Sequence, residues 1–195
     1  MTGVRPRMSR RALAALASVA VGVLMAGCST SGDSSTGTKG YVTGDGTVTI
    51  LDAADRPGAP DLSGDMLGGG TLDLSTYTGA MVVVNVWGSW CGPCRGEAAD
   101  LVAASKALPE VNFVGLNTRD KEAEAKAFVR RYDVTYPSLL DQDSKLLLLF
   151  HGMVNLASLP ITIVIDADDR VAAVVNGPLS KATLVDLIEQ IQDED

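Results

Sequence analysis

Cys91 and Cys94 bracket a Gly-Pro dipeptide in Trp90-Cys91-Gly92-Pro93-Cys94, between a β-branched apolar run and a segment with helical spacing. That placement puts the first sulfur at a helix N-terminus, where unpaired N–H groups and the helix dipole favour a thiolate. Only the thiolate attacks a disulfide, so the position suits exchange chemistry, with Cys91 as nucleophile. Cys94, one turn further on, lies close enough to resolve the resulting mixed disulfide. Two blander uses compete. Half a zinc site would need a second pair, and the chain adds only His151, which leaves such a site a ligand short. A static disulfide across so small a loop would gain little from closure. Redox use of the pair is therefore the reading to carry forward.

The elements that must position the pair follow from periodicity. Ala80-Met81-Val82-Val83-Val84-Asn85-Val86-Trp87 has the pattern of a central strand buried on both faces. Ala98, Leu101, Val102 and Leu108 mark the apolar stripe of a helix after the cysteines. The next strand is predicted over 111–116 and the next helix over 121–132, with Ala125, Phe128, Val129 and Tyr132 on one face. Strands over 161–165 and 171–175 flank the polar turn Asp166-Ala167-Asp168-Asp169, and a terminal helix after Ser180 carries Leu184, Leu187, Ile188 and Ile191. The run 146–150 reads as the last turns of a helix facing the core. Thr47–Leu51 and Thr71–Leu74 alternate apolar and polar residues and predict two short strands in an irregular lead-in. This order predicts an α/β fold with a mixed central sheet flanked by helices and an N-terminal extension of short strands.

The first 27 residues have a signal-peptide layout: arginines at 5, 7, 10 and 11, then 16 uncharged residues, then Leu24-Met25-Ala26-Gly27 before Cys28. An uncharged stretch of that length falls short of the roughly 20 residues of a spanning helix. Leu24 to Cys28 resembles the bacterial lipobox, which implies that Cys28 becomes the lipidated first residue of the mature chain, attached to a membrane. Ser9-Arg10-Arg11 also faintly resembles a twin-arginine export motif. Ser, Thr and Gly dominate 29–40, a composition that predicts a flexible tether after the lipidated residue, and the folded domain is expected over 41–195. The chain has 16 basic and 24 acidic residues, and removal of the leader's four arginines leaves 12 against 24. Such a balance argues against a nucleic-acid partner.

Over roughly 59–191 the chain resembles thioredoxins and, more closely, the TlpA/ResA-like family of membrane-tethered thiol:disulfide oxidoreductases. The likeness rests on Val84-Asn85-Val86-Trp87-Gly88-Ser89-Trp90-Cys91-Gly92-Pro93-Cys94-Arg95-Gly96-Glu97, on Tyr136-Pro137, and on Leu159-Pro160-Ile161-Thr162-Ile163-Val164-Ile165-Asp166. It implies that Asn85 stands where cytosolic thioredoxins keep a buried acid, and that Glu97, one turn beyond Cys94, takes over proton handling; the plainer use of Glu97 is a solvated helix carboxylate. It implies a cis Pro160 against the dithiol and a substrate groove formed with Trp90, Gly92, Pro93 and Leu159. Leu159 departs from the Thr or Val common there, and Ala99 stands where relatives carry a helix-kinking proline. Trp87 is expected in the core and Trp90 at the rim, with Tyr136 and Pro137 candidates for either; His151 is expected to play no catalytic part.

The resemblance also implies the function: reduction of disulfides in exported proteins, apocytochrome c among them, on the extracytoplasmic face of the cell membrane, with a membrane electron donor recharging the Cys91–Cys94 dithiol. No metal and no further cofactor are expected. Three other readings are an oxidase or isomerase for secreted proteins, a peroxidase, and a thioredoxin-fold binding module that never turns over.

Overall fold

The computed structural model describes residues 38–42 and 46–194. The leader, Cys28 and most of the tether lie outside them. Seven strands form the main sheet: β1 (Thr38–Val42), β2 (Thr47–Leu51), β5 (Val82–Trp87), β6 (Asn112–Thr118), β7 (Ser138–Asp141), β8 (Ile161–Ile165) and β9 (Val171–Asn176). Their order is β1-β2-β9-β8-β5-β6-β7, and β3 (Ser63–Asp65) with β4 (Thr71–Asp73) makes a separate two-stranded ribbon. Strands β5, β6 and β7 run parallel, joined by helices α1 (Gly92–Ala107) and α2 (Glu122–Arg131). β8 and β9 pair antiparallel beside β5. A one-turn helix α3 (Lys145–Leu148) follows β7, and α4 (Lys181–Gln192) closes the domain. The mixed, helix-flanked sheet with a short-stranded extension is the architecture predicted from periodicity.

Alternation along β5 decides what each face receives. Val82, Val84 and Val86 join one cluster with Val114, Leu116, Ile161, Ile163 and Phe150. Val83 points the other way, into the cluster that holds Leu101 and Ala104 of α1 and Leu184, Leu187, Ile188 and Ile191 of α4. Since side chains two apart share a face, Asn85 and Trp87 also turn toward α1. Each fully buried Leu or Ile of α4 contributes roughly 1.5–3 kcal/mol of transfer free energy, which is what holds this helix against the sheet. Gly115 of β6 permits close approach here, because a Cβ built on it would lie 2.7 Å from Trp87 Nε1.

Four details differ from the prediction, the first being the three-residue β3, which pairs with β4 and was not expected in the lead-in. β7 went unforeseen, being four residues long directly after Pro137. The run 146–150 contributes only the one-turn α3, with Leu147 and Phe150 buried and Leu148 and Leu149 largely exposed. β1 begins at Thr38, three residues inside the stretch expected to be tether, because pairing with β2 supplies the ladder that its composition alone does not suggest. Far from the cysteines, Arg56 bridges the extension to the rest of the domain. Its guanidinium meets the Asp166 carboxylate at 3.1 Å, both side chains fully buried, and the Glu194 carboxylate at 3.0 Å.

Candidate active site

Cys91 is the N-cap of α1, and its Sγ accepts the Cys94 N–H at 3.2 Å. The two sulfurs form a disulfide of 2.05 Å with Cα atoms 5.3 Å apart. Pro93 occupies the first turn, where an amide proton would have no intrahelical partner, so the helix starts without loss at the dipeptide. Cys91 is 4% exposed and Cys94 1%. Gly92 and Pro93 lie in solvent, as does much of Trp90. The pair sits in a small cluster with Trp87, Ala98, Ala125 and Phe128, and Leu159 packs against that cluster half-buried. The Leu159–Pro160 bond is cis and Pro160 is buried. Helix α1 runs unbroken through Ala99.

Glu97 is buried, 3% exposed, and is not the solvated carboxylate of the plainer reading. One oxygen accepts Asn85 Nδ2 at 3.0 Å and the other accepts the Leu179 backbone N–H at 3.1 Å. The same Asn85 amide donates to Thr162 Oγ1 at 3.2 Å, so one network joins β5, β8, α1 and the segment before α4. Burial pushes the Glu97 carboxyl up to about 8, against the opposing pull of its two hydrogen bonds and with a small further push from Asp100. Burial, with the Glu97 charge, also raises the Tyr136 hydroxyl. A cleft of about 260 Å³ lined by Pro93, Gly96, Glu97, Asp100, Pro178 and Leu179 opens beside this carboxyl.

A second buried carboxylate steadies the loop that precedes Cys91. Asp120 accepts the Ser89 N–H at 2.6 Å, the Ser89 hydroxyl at 2.9 Å, the Asn117 amide at 3.0 Å and the Lys121 N–H at 2.9 Å. Sequence reasoning missed this clamp, as it missed Thr162 and Leu179 as partners of the Asn85–Glu97 pair. Trp90 takes the guanidinium of Arg119 over its ring at 5.1 Å. Trp87 is core, stacked on Phe128 at 4.3 Å. Tyr136 is half-buried beside Phe113, and His151 is exposed outside the cluster. Cys28 lies outside the described residues. Among those residues no three His, Cys, Asp or Glu side chains stand together to hold a metal.

A family model described as AhpC/TSA matches residues 57–174. The chain belongs to the AhpC/TSA family. Within it, this AhpC/TSA protein is 28% identical over 135 residues to thiol-disulfide oxidoreductase ResA of Bacillus cereus, covering 68% of this chain and 76% of that one. Its structure is similar to that of a secreted thiol-disulfide isomerase from Corynebacterium glutamicum, with a TM-score of 0.68 and 32% identity over 76% of this chain and 96% of that one. A DsbF homologue from Corynebacterium diphtheriae matches with the same TM-score at 31% identity, over 77% and 96% of the two chains. With a bonded Cys-x-x-Cys at a helix N-terminus and this kinship, the AhpC/TSA protein is a thiol-disulfide oxidoreductase of the thioredoxin-like fold.

Proposed function

We propose that the protein reduces disulfides of exported proteins on the outer face of the cytoplasmic membrane, held there by a lipid on Cys28. In the reduced form Cys91, at the helix N-terminus, is the thiolate. It attacks one sulfur of the substrate disulfide, forming a mixed disulfide and releasing the other substrate sulfur as a thiolate that takes up a proton. Cys94 then loses its proton and attacks Cys91 Sγ. The second substrate sulfur leaves, and the substrate gains two electrons while the protein closes its own disulfide. A membrane-borne thiol donor must return those electrons.

The observation that carries this reading is the Cys91 cap on α1 backed by the buried Glu97. A carboxyl near 8 exists in both protonation states around neutral pH, so Glu97 can take the Cys94 proton and pass it to the cleft beside Pro93. Asn85 cannot titrate; its amide holds the carboxyl in place. Trp90, Gly92, Pro93, Leu159 and Pro160 supply the groove for the substrate backbone. The Gly-Pro dipeptide, shared with thioredoxin at about −270 mV, supports the reducing direction. Apocytochrome c, whose haem-attachment cysteines must be reduced, is the substrate that the resemblance suggests.

The test is a Cys94→Ser variant in membranes. Cys91 can still attack but nothing resolves the product, so substrates accumulate as mixed disulfides, to be released by dithiothreitol and identified by mass spectrometry. Equal trapping by Cys91→Ser would overturn the assigned roles, and no trapping by either would favour a module that does not turn over. A reduction potential near −120 mV would make the protein an oxidant instead.

A further inference from the structure

Two guanidinium groups stand beside the dithiol with no part in the exchange steps above. Arg95, exposed in the first turn of α1, donates Nη1 to the Ser89 carbonyl at 2.8 Å. A Cβ built on Gly92 would lie 3.7 Å from its Nη2, so the guanidinium lies along the segment that presents Cys91. Arg119, exposed after β6, has its Cζ 5.1 Å from the centre of the Trp90 ring. Its backbone is left-handed, with φ of 52°, a conformation held by the Asp120 hydrogen bonds on the next residue. Each cation thus has a preferred resting place beside the dithiol, which lowers the entropy lost on binding.

Neither guanidinium has a carboxylate within 4.0 Å among the described residues. Asp120 is adjacent to Arg119, but its two oxygens face inward on four donors. Glu97 is buried against Asn85 and Leu179. Asp100, further along α1, accepts the Lys181 N–H. Lys121 adds a third cation and faces Glu124 at 3.9 Å. A chain of 16 basic and 24 acidic residues thus places two arginines without a carboxylate partner, among the described residues, beside its reactive pair. The acidic surplus repels an acidic partner at long range, but at physiological salt charges beyond about 8 Å are largely screened, so the local arginines decide the docked complex.

We propose that Arg95 and Arg119 read carboxylates, so that the protein prefers partner segments with Asp or Glu beside the exchanging cysteine. This rests on the reading that the dithiol exchanges with protein disulfides. Arg offers a planar fork of donors matched to a carboxylate, and the two forks bracket the Ser89–Trp90 segment next to Cys91.

The test uses the full chain, reduced and freed of reductant, with short peptides closed by one disulfide and differing only in the residue beside each cysteine: Asp, Asn or Lys. The ratio of second-order reduction rates, Asp peptide over Asn peptide, is the readout. It should be about fivefold or more at low salt and approach one at about 0.5 M salt, with the Lys peptide slowest. Arg95→Gln and Arg119→Gln should each lower the ratio by about two- to fivefold, and the double variant should bring it near one. Equal reduction of Asp and Asn peptides by the parent protein would overturn the carboxylate preference while leaving exchange intact. A preference that survives in the double variant would overturn the assignment to these arginines. Reduction of none of the peptides would overturn the exchange reading, and the preference with it.

Discussion

Replacing Glu97 by Gln should remove a loss of stability with rising pH from the oxidised protein, so that parent and variant exchange rank. Burial raises this carboxyl from 4.5 to about 8 in the folded state, a difference of roughly 3.5 units. At 1.36 kcal/mol per unit, that corresponds to about 5 kcal/mol of preference for the protonated form in the folded state. The folded protein binds the proton more tightly than the unfolded chain, so this stabilisation is fully present below pH 4.5. It is lost progressively as pH rises to 8, at about 1.4 kcal/mol per pH unit. Gln cannot titrate. It also turns an NH2 group, which cannot accept, toward either Asn85 Nδ2 or the Leu179 N–H, where the hydroxyl oxygen of the protonated Glu97 still can, at a cost of about 1–3 kcal/mol relative to that neutral form. The variant should therefore be less stable than the parent at pH 4 and more stable at pH 9 by about 2–4 kcal/mol, the curves crossing between. Urea unfolding of both oxidised proteins at half-unit steps of pH measures the difference, and the titrations they share cancel. The cysteines do not contribute, being bonded to each other. Parallel curves would refute the argument, and so would a parent that gains stability over the variant between pH 4.5 and 8.

Asp120→Asn should lower stability by about 1.5–3 kcal/mol, since one oxygen that accepts two donors becomes a donor itself, and thermal unfolding will show it. Gly115→Ala should cost about 1–3 kcal/mol through overpacking, read from the urea midpoint, because the added methyl meets Trp87 and Ser138. Cys28→Ala should leave the protein unlipidated and move it out of the detergent phase on partitioning. A variant that still partitions with membranes and keeps its leader mass would mean a spanning anchor in place of the lipid.

The dithiol was legible because its chemistry is local: strand, turn, two cysteines and helix succeed one another directly along the chain. The apolar run ending at Trp87 announced a buried strand, but not which of its side chains would face α1. Glu97 could be placed one turn from Cys94 by helical spacing. Its burial could not, because it depends on Asn85 from β5 and on the Leu179 amide, 82 residues downstream. Asp120 looks like an ordinary acid before a helix, and its contact with Ser89 spans 31 residues. β7 escaped notice because four residues give too little alternation to rise above a loop, and its pairing with β6 is what makes it a strand.

The Arg56 clamp joins three distant stretches of chain: the segment after β2, the β8–β9 turn and the end of α4. A protein held to a surface from its N-terminal side receives any pull first at the β1–β2 edge, at one end of the sheet. Between that edge and β5 stand β9 and β8, and the turn between those two carries Asp166, tied to Arg56 and so to Glu194 near the other end of the chain. Separating one partner from a fully buried ion pair costs about 3–5 kcal/mol, more than peeling an edge residue from its ladder. Were such a protein pulled between that side and a partner bound at the cysteines, this bracket would have to open before the β8–β9 turn could part from the segment after β2.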